Sequence, residues 1–247
     1  MNRKRNRGFT LVELLVALAL AGIVSTAIYN IFFSSNKVYV EQEQVVGLQQ
    51  DLRAGVDLMV REIRMAGFDP DNIRIATGTA LGLVEATRDT IEFTFDTDGN
   101  GVAETIRYAV TGGNLTRNGE ILVRNVDALG FAYAYEQGSD VATTPAPPAG
   151  NRNIIWVTGT AALNRSLDTN DDGQIDAGDT AGGNPVAAVT LDRVRAVRVW
   201  LLARTERTDS QFSDSRTYVV ADRRVTPADN FRRRLLTTTL RCRNLGL

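Results

Sequence analysis

The chain has no histidine and a single cysteine, Cys242, among its 247 residues. The first absence excludes Ser-His-Asp and Cys-His catalysis and any histidine-ligated zinc. The second excludes an intrachain disulfide and a cysteine-rich metal site. Cys242, between Arg241 and Arg243, is read as a strand residue rather than a reactive thiol. Net charge is also small: 28 Lys+Arg against 29 Asp+Glu leave a formal -1, which argues against nucleic acid as a bulk partner. The carboxylates form no recognisable glycosidase pair or aspartic dyad, so no catalytic residue is assigned. What the chain does have is 43% hydrophobic residues, enough to bury a sizeable core.

The charge is unevenly placed. Arg3, Lys4, Arg5 and Arg7 lie in the first eight residues with no acid among them. Without those eight the chain carries 24 Lys+Arg against 29 Asp+Glu, a formal -5. Behind the bases, Leu14 to Phe33 are free of charge. At about 1.5 Å per residue such a helix spans roughly 30 Å, the thickness of a bilayer core. The flanking bases hold the N-terminus on the cytoplasmic side. An ordinary cleaved secretory signal fits poorly, because the apolar run is long and no A-x-A site follows it. The chain continues instead as the polar stretch "SSNKVYVEQEQ". A plain signal anchor leaves Glu13 unexplained, since a carboxylate in an apolar segment costs a few kcal/mol unless partnered.

"RGFTLVELLVALAL" resembles the class III signal of type IV pilins and type II secretion pseudopilins. In that signal a short basic leader ends in Gly, and a Phe and then Thr-Leu-x-Glu open an apolar helix. The resemblance implies cleavage after Gly8 by a prepilin peptidase, N-methylation of Phe9, and Glu13 as the fifth residue of the mature chain. A glycine before the cut leaves the backbone open to close approach. The new Phe9 amine is a cation at the bilayer edge, and in a filament a neighbour's Glu13 could pair with it. "QQDLRAGVDLMVREIRMAGFDP" resembles the corresponding part of minor pilins of the PilW type. The J-type pseudopilin of type II secretion, with the same leader and a large β head, is the alternative.

Beyond the span, Val45, Leu48, Leu52, Val56, Met59 and Ile63 recur at spacings of three or four, an amphipathic stripe. Glu41, Glu43, Gln49, Asp51, Arg53, Asp57, Arg61 and Glu62 are read as the polar faces. Gly67 and Pro70 stop the helix, which is expected over about residues 9–66. Gly22 and Gly47 are read as ordinary interior glycines. After Asp71 the pattern turns to strands. Ile91, Phe93 and Phe95 alternate, then Ile106, Tyr108 and Val110, then Leu129, Phe131, Tyr133 and Tyr135. "TGGN" and "TRNGE" are turns. "NIIWVTG", "VRAVRVWLLAR", "SRTYVVAD" and "RRLLTTTLRCRN" complete an antiparallel sheet of six to eight expected strands. "NVDALGFAYAY" and "DRVRAVRVWLLAR" look alike, a weak duplication. The Pro/Ala-rich stretch 138–151 is an exposed loop. The basic stretch "FRRRLLTTTLRCRN" is read as a strand with its arginines on the wet face.

Two loops are acidic. In "DTNDDGQIDAGD" (168–179), Asp168, Asn170, Asp172, Gln174, Asp176 and Asp179 fall at positions 1, 3, 5, 7, 9 and 12 of an EF-hand-type loop, with Gly173 at 6. Alternate oxygen ligands there converge on one hard cation, and Ca²⁺ is the expected cofactor. Asp in place of Glu at position 12 resembles the dockerin version of the loop. In "DTDGNGVAE" (96–104), Asp96, Asp98 and Asn100 are a weaker metal candidate, because no position-12 acid is present and Asp-Gly and Asn-Gly favour a hairpin turn there.

The expected organisation is therefore α+β. A leader (1–8) precedes a transmembrane half-helix (9–33) and an amphipathic half-helix (34–67), packed on a β-rich head (71–247) in a pilin-like fold. The resemblance implies a non-catalytic minor pilin. Its expected partners are the prepilin peptidase, other minor and major pilins through the N-terminal helix, and inner-membrane lipid, with no nucleic acid. The head is expected on the outer side of a bacterial inner membrane, and in the fibre or its tip after assembly.

Overall fold

A computed structural model describes residues 10–70, 81–136, 154–157, 191 and 194–245. The chain divides into two compact units, Met1–Val46 and Gly47–Leu247. One helix, α1 (Leu11–Met65), runs from the first into the second. In the first unit its side chains are almost all exposed. In the second, Leu48, Leu52, Val56, Met59 and Ile63 are buried, so the three-and-four spacing marks the face that packs on the strands; Val45, at the end of the first unit, is half-buried. Gly22 and Gly47 are helical and face open space.

The C-terminus of α1 is closed by a glycine. Gly67 has φ +78, and a Cβ there would meet the Asn244 carbonyl oxygen at 2.7 Å. Its N–H donates to the Thr94 carbonyl at 2.9 Å, and Asn244 Nδ2 donates to the Arg64 carbonyl at 3.4 Å. The helix end is thus tied to both a strand and the C-terminal segment, which no residue with a side chain would allow without strain.

Eleven strands follow among the described residues. A meander is built from β1 (Gly82–Ala86), β2 (Ile91–Phe95), β3 (Glu104–Thr111), β4 (Asn114–Arg117) and β5 (Glu120–Val123), each antiparallel to its neighbour. The β3–β4 and β4–β5 turns place Gly112–Gly113 and Asn118–Gly119 at positive φ, the type I′ geometry that matches strand twist. A second sheet takes β6 (Val126–Glu136), β7 (Ile154–Val157), β8 (Val194–Arg204) and β11 (Arg233–Arg241) in the order β11-β8-β6-β7. The two look-alike segments are β6 and β8, and they pair with each other. A hairpin of β9 (Tyr218–Val220) and β10 (Arg223–Val225) completes the fold.

The expectation of six to eight strands in one sheet is therefore corrected. The short β4 lies between two tight turns, too brief to show alternation. The run "EILVRNVDALGFAYAY" breaks at Asn125, whose φ is +56. The stripe of α1 and the inner faces of both larger sheets form one core around Phe93, Tyr108, Phe131, Tyr133 and Leu201. The outer face of β6 is small by sequence: Ala128, Gly130 and Ala132. A Cβ on Gly130 would lie 2.9 Å from Val220 Cγ1, so the missing side chain is what lets the β9–β10 hairpin close over β6 and Trp200.

Candidate functional site

Three places carry chemistry. The first is the start of α1. Thr10 is its N-cap: the Leu14 N–H donates to the Thr10 carbonyl at 3.2 Å. The Thr10 N–H and hydroxyl both donate to Glu13 Oε2 at 2.9 Å, and the Glu13 N–H donates to Thr10 Oγ1 at 3.3 Å. This is a capping box, in which N-cap Thr and N3 Glu each satisfy an orphan donor of the other. The Thr-x-x-Glu spacing signals it, and the reading of Glu13 as an isolated carboxylate missed it. Gly8 and Phe9 lie outside the described residues.

Behind the cap runs an apolar surface. Leu11 is 75% exposed and Phe32 70%, and an 18-residue window has mean hydropathy 2.4 with none of it buried. On this surface the Thr26 hydroxyl donates back to the Gly22 carbonyl of the same helix at 2.9 Å. A contiguous apolar surface of this size marks a site covered by lipid or by other protein.

The second place is the 96–104 loop joining β2 to β3. Asp96 is fully buried, and its carboxylate accepts from the Gly99 N–H at 2.8 Å and the Gly101 N–H at 3.3 Å. Asp98 accepts from the Asn100 N–H and side-chain amide, and Asn100 Oδ1 from the Val102 N–H at 2.7 Å. Glu104 accepts from the Thr97 N–H at 3.1 Å. The loop is thus a turn held by its own side chains. The structure brings one carboxylate oxygen each of Asp96, Asp98 and Glu104 within 4.8 Å of one another. The stronger metal candidate, residues 168–179, lies outside the described residues, as does the 138–151 loop.

The third place is a set of ion pairs that fasten the head. Glu62, expected on a solvated face, is instead folded onto the meander. It receives a two-nitrogen fork from Arg117, at 2.9–3.2 Å, and the Tyr108 hydroxyl at 2.5 Å. Burial, and then the bond to Glu62, push the Tyr108 hydroxyl well above its ordinary value. Arg233, expected on the wet face of the last strand, has 3% of its side chain exposed. It donates to Asp127 at 2.6 Å and to Asp229 at 2.5 and 2.7 Å, with Asp214 at 3.6 Å. Register explains the correction: Arg233 is opposite Arg204 on β8, beneath the 205–232 excursion whose base it clamps. Neighbouring Arg232 pairs with Asp209 at 2.6 Å. Cys242 lies just past β11, buried, its N–H on the Arg195 carbonyl; burial pushes its thiol up to about 12.

These pairs set the pH limits of the head. The Arg233 bond holds Asp229 below the usual carboxylate range. Burial pulls Asp214 upward, but the bonds from Arg216 and Tyr218 outweigh it, and its net shift is also down. Both therefore stabilise the fold above their unfolded values and lose that contribution as pH falls below about 4. Burial, and then Asp214, raise Tyr218 to about 12, so the neutral hydroxyl is favoured and its contribution is lost as pH rises from about 10 toward 12. Thermal melts across pH are expected to give a plateau with falls at both ends. A maximum below pH 4 would contradict these assignments.

Comparison with known proteins follows the same division. Residues 3–29 match the family described as prokaryotic N-terminal methylation motif. Residues 92–244, more than half of the chain, match Type IV Pilus-assembly protein W, and the chain belongs to that family. Among solved structures, a type IV-like pilin from Thermus thermophilus is similar at 17% identity and TM-score 0.46, over 81% of this chain and 98% of that one. No curated protein matches.

Proposed function

We propose that the chain is a minor pilin: a non-catalytic subunit, cut after Gly8 by a prepilin peptidase, N-methylated on Phe9, and built into a type IV pilus at its priming complex or tip. The observation that carries this reading is the pairing of one carboxylate, Glu13, with an exposed apolar helical surface. Before assembly the helix lies in the inner membrane with the head on the outer side, and lipid covers the surface. In the fibre the helices of other pilins cover it instead. Glu13 exchanges the Thr10 donors of its capping box for the charged Phe9 amine of a neighbour, so two groups costly in lipid become one pair. The 168–179 loop is proposed to hold Ca²⁺ and stiffen a segment whose carboxylates otherwise repel.

The test is fractionation of cells with and without prepilin peptidase. With the enzyme, the shortened chain is expected among sheared fibres. Without it, the full chain stays in the membrane. Recovery of full-length chain in the fibre fraction would overturn the proposal.

A further inference from the structure

The last strand of the chain closes one side of its sheet. β11 pairs with β8 from Arg233↔Arg204 to Arg241↔Ala196 without a register shift, and no strand flanks its other side among the described residues. With nine residues it is the longest such edge among them. Edge strands are usually blunted by a proline, a bulge or a charge near the middle. β11 has none of these: Leu235 to Leu240 are three leucines and three threonines.

The flanking bonds fix which backbone groups face outward. The Thr205 N–H donates to the Arg232 carbonyl and the Cys242 N–H to the Arg195 carbonyl, both at 2.9 Å. An antiparallel ladder alternates, so the even positions between them bond to β8. Leu235, Thr237, Thr239 and Arg241 therefore turn their N–H and C=O groups to the open side.

Side chains alternate between the two faces of the strand. Leu236 and Leu240 pack on the main core, and Leu235 packs on the smaller core with the β9–β10 hairpin. Arg234 thus belongs to the inner face and Arg241 to the outer. Both are exposed and form no ion pair among the described residues. A second β11 laid antiparallel in the same register would set Arg234 against Arg241 at both ends, so the edge rejects its own copy. A segment of opposite charge meets the reverse. In such a strand the residues opposite Arg241 and Arg234 lie seven apart, and residues seven apart point to opposite faces, as the two arginines do.

We propose that the open edge of β11 takes up an extended acidic segment of a partner protein as an added antiparallel strand. One carboxylate meets Arg241 on the outer face, and a second, seven residues on, meets Arg234 on the inner face. Backbone bonds to Leu235, Thr237, Thr239 and Arg241 hold the segment, and the two guanidiniums select it and fix its register. The surface belongs to the head, so the proposal goes beyond assembly through α1 and does not depend on it.

The test is fluorescence anisotropy of a labelled eight-residue peptide added to the full chain in detergent micelles. The peptide has glutamate at both ends and alternating valine and threonine between them. Saturable binding is expected, and a peptide with lysine at both ends is expected to bind at least about tenfold more weakly. N-methylation of alternate residues counted from the first, whose amides face β11, is expected to weaken binding by a similar factor. N-methylation of the other alternate set, whose amides face solvent, is expected to leave it unchanged. Arg234→Glu with Arg241→Glu is expected to lose the glutamate peptide and gain the lysine peptide, which a misfolded protein would not do. No binding by the wild type, equal binding of the glutamate and lysine peptides, or indifference to which amides are methylated overturns the proposal. So does self-association of the wild type that the double variant lacks, with no peptide bound, because the edge would then belong to a second copy.

Discussion

Arg233→Ala is expected to cost about 3 kcal/mol or more of stability, the largest loss from any single charged side chain of the head. The guanidinium joins Asp127 on β6 to Asp229 and Asp214 at the base of the 205–232 excursion. Removing it leaves three carboxylates facing one another. Asp214, fully buried, keeps Arg216 at 2.9 Å and the Tyr218 hydroxyl at 2.8 Å. Asp229, with 36% of its side chain exposed, regains water. Those compensations place the expected loss toward the lower end of the range for breaking a buried pair. Arg233→Lys keeps the charge but not the fork, and is expected to fall between wild type and alanine. Urea denaturation of the full chain in micelles measures all three. Alanine and lysine variants as stable as wild type would show that the cluster holds nothing.

The largest functional effect is expected at Glu13, in three variants that separate its two roles. Glu13→Gln keeps an oxygen for the Thr10 N–H and hydroxyl, hence the capping box, but removes the charge. Thr10→Ala removes the cap, at about 1 kcal/mol of helix stability, and keeps the charge. Glu13→Ala removes both. If the charge pairs with a neighbouring N-terminus, Gln and Ala fail alike. Both are processed and stay in the membrane, and their fibre fraction falls at least about tenfold, the scale of a few kcal/mol for an uncompensated charge in lipid. Thr10→Ala then assembles with a smaller deficit. Quantitative blotting of sheared fibres against membranes reads the outcome. A Gln variant that assembles like wild type would assign Glu13 to helix capping alone.

The parts of the fold with a strong period were legible in the sequence. The α1 stripe became the buried face, and the alternations of β2, β3 and β6 became inner faces of sheets. What escaped detection was set by register. Glu62 and Arg233 read as solvent-facing charges, because nothing local says that Tyr108 and Arg117 arrive from 46 and 55 residues away, or Asp127 from 106 residues away. The hairpin over β6 was hidden for a related reason. Alanine and glycine on an outer strand face look like weak strand formers until a second layer is seen to need the room. The site divides in the same way. The basic leader, glycine, phenylalanine and stranded acid form a contiguous motif. The capping box is also contiguous, but a functional explanation for Glu13 drew attention from its local partner. In the 96–104 loop, the Thr97 N–H holds the Glu104 carboxylate beside Asp96 and Asp98, a neighbour that loop spacing did not single out.

The most direct test of the account is the mass and N-terminal sequence of the chain recovered from cells that contain prepilin peptidase. A chain that starts at N-methylated Phe9 is the predicted result. A chain that still starts at Met1 would contradict it, because Glu13 would then have no neighbouring phenylalanine amine to meet.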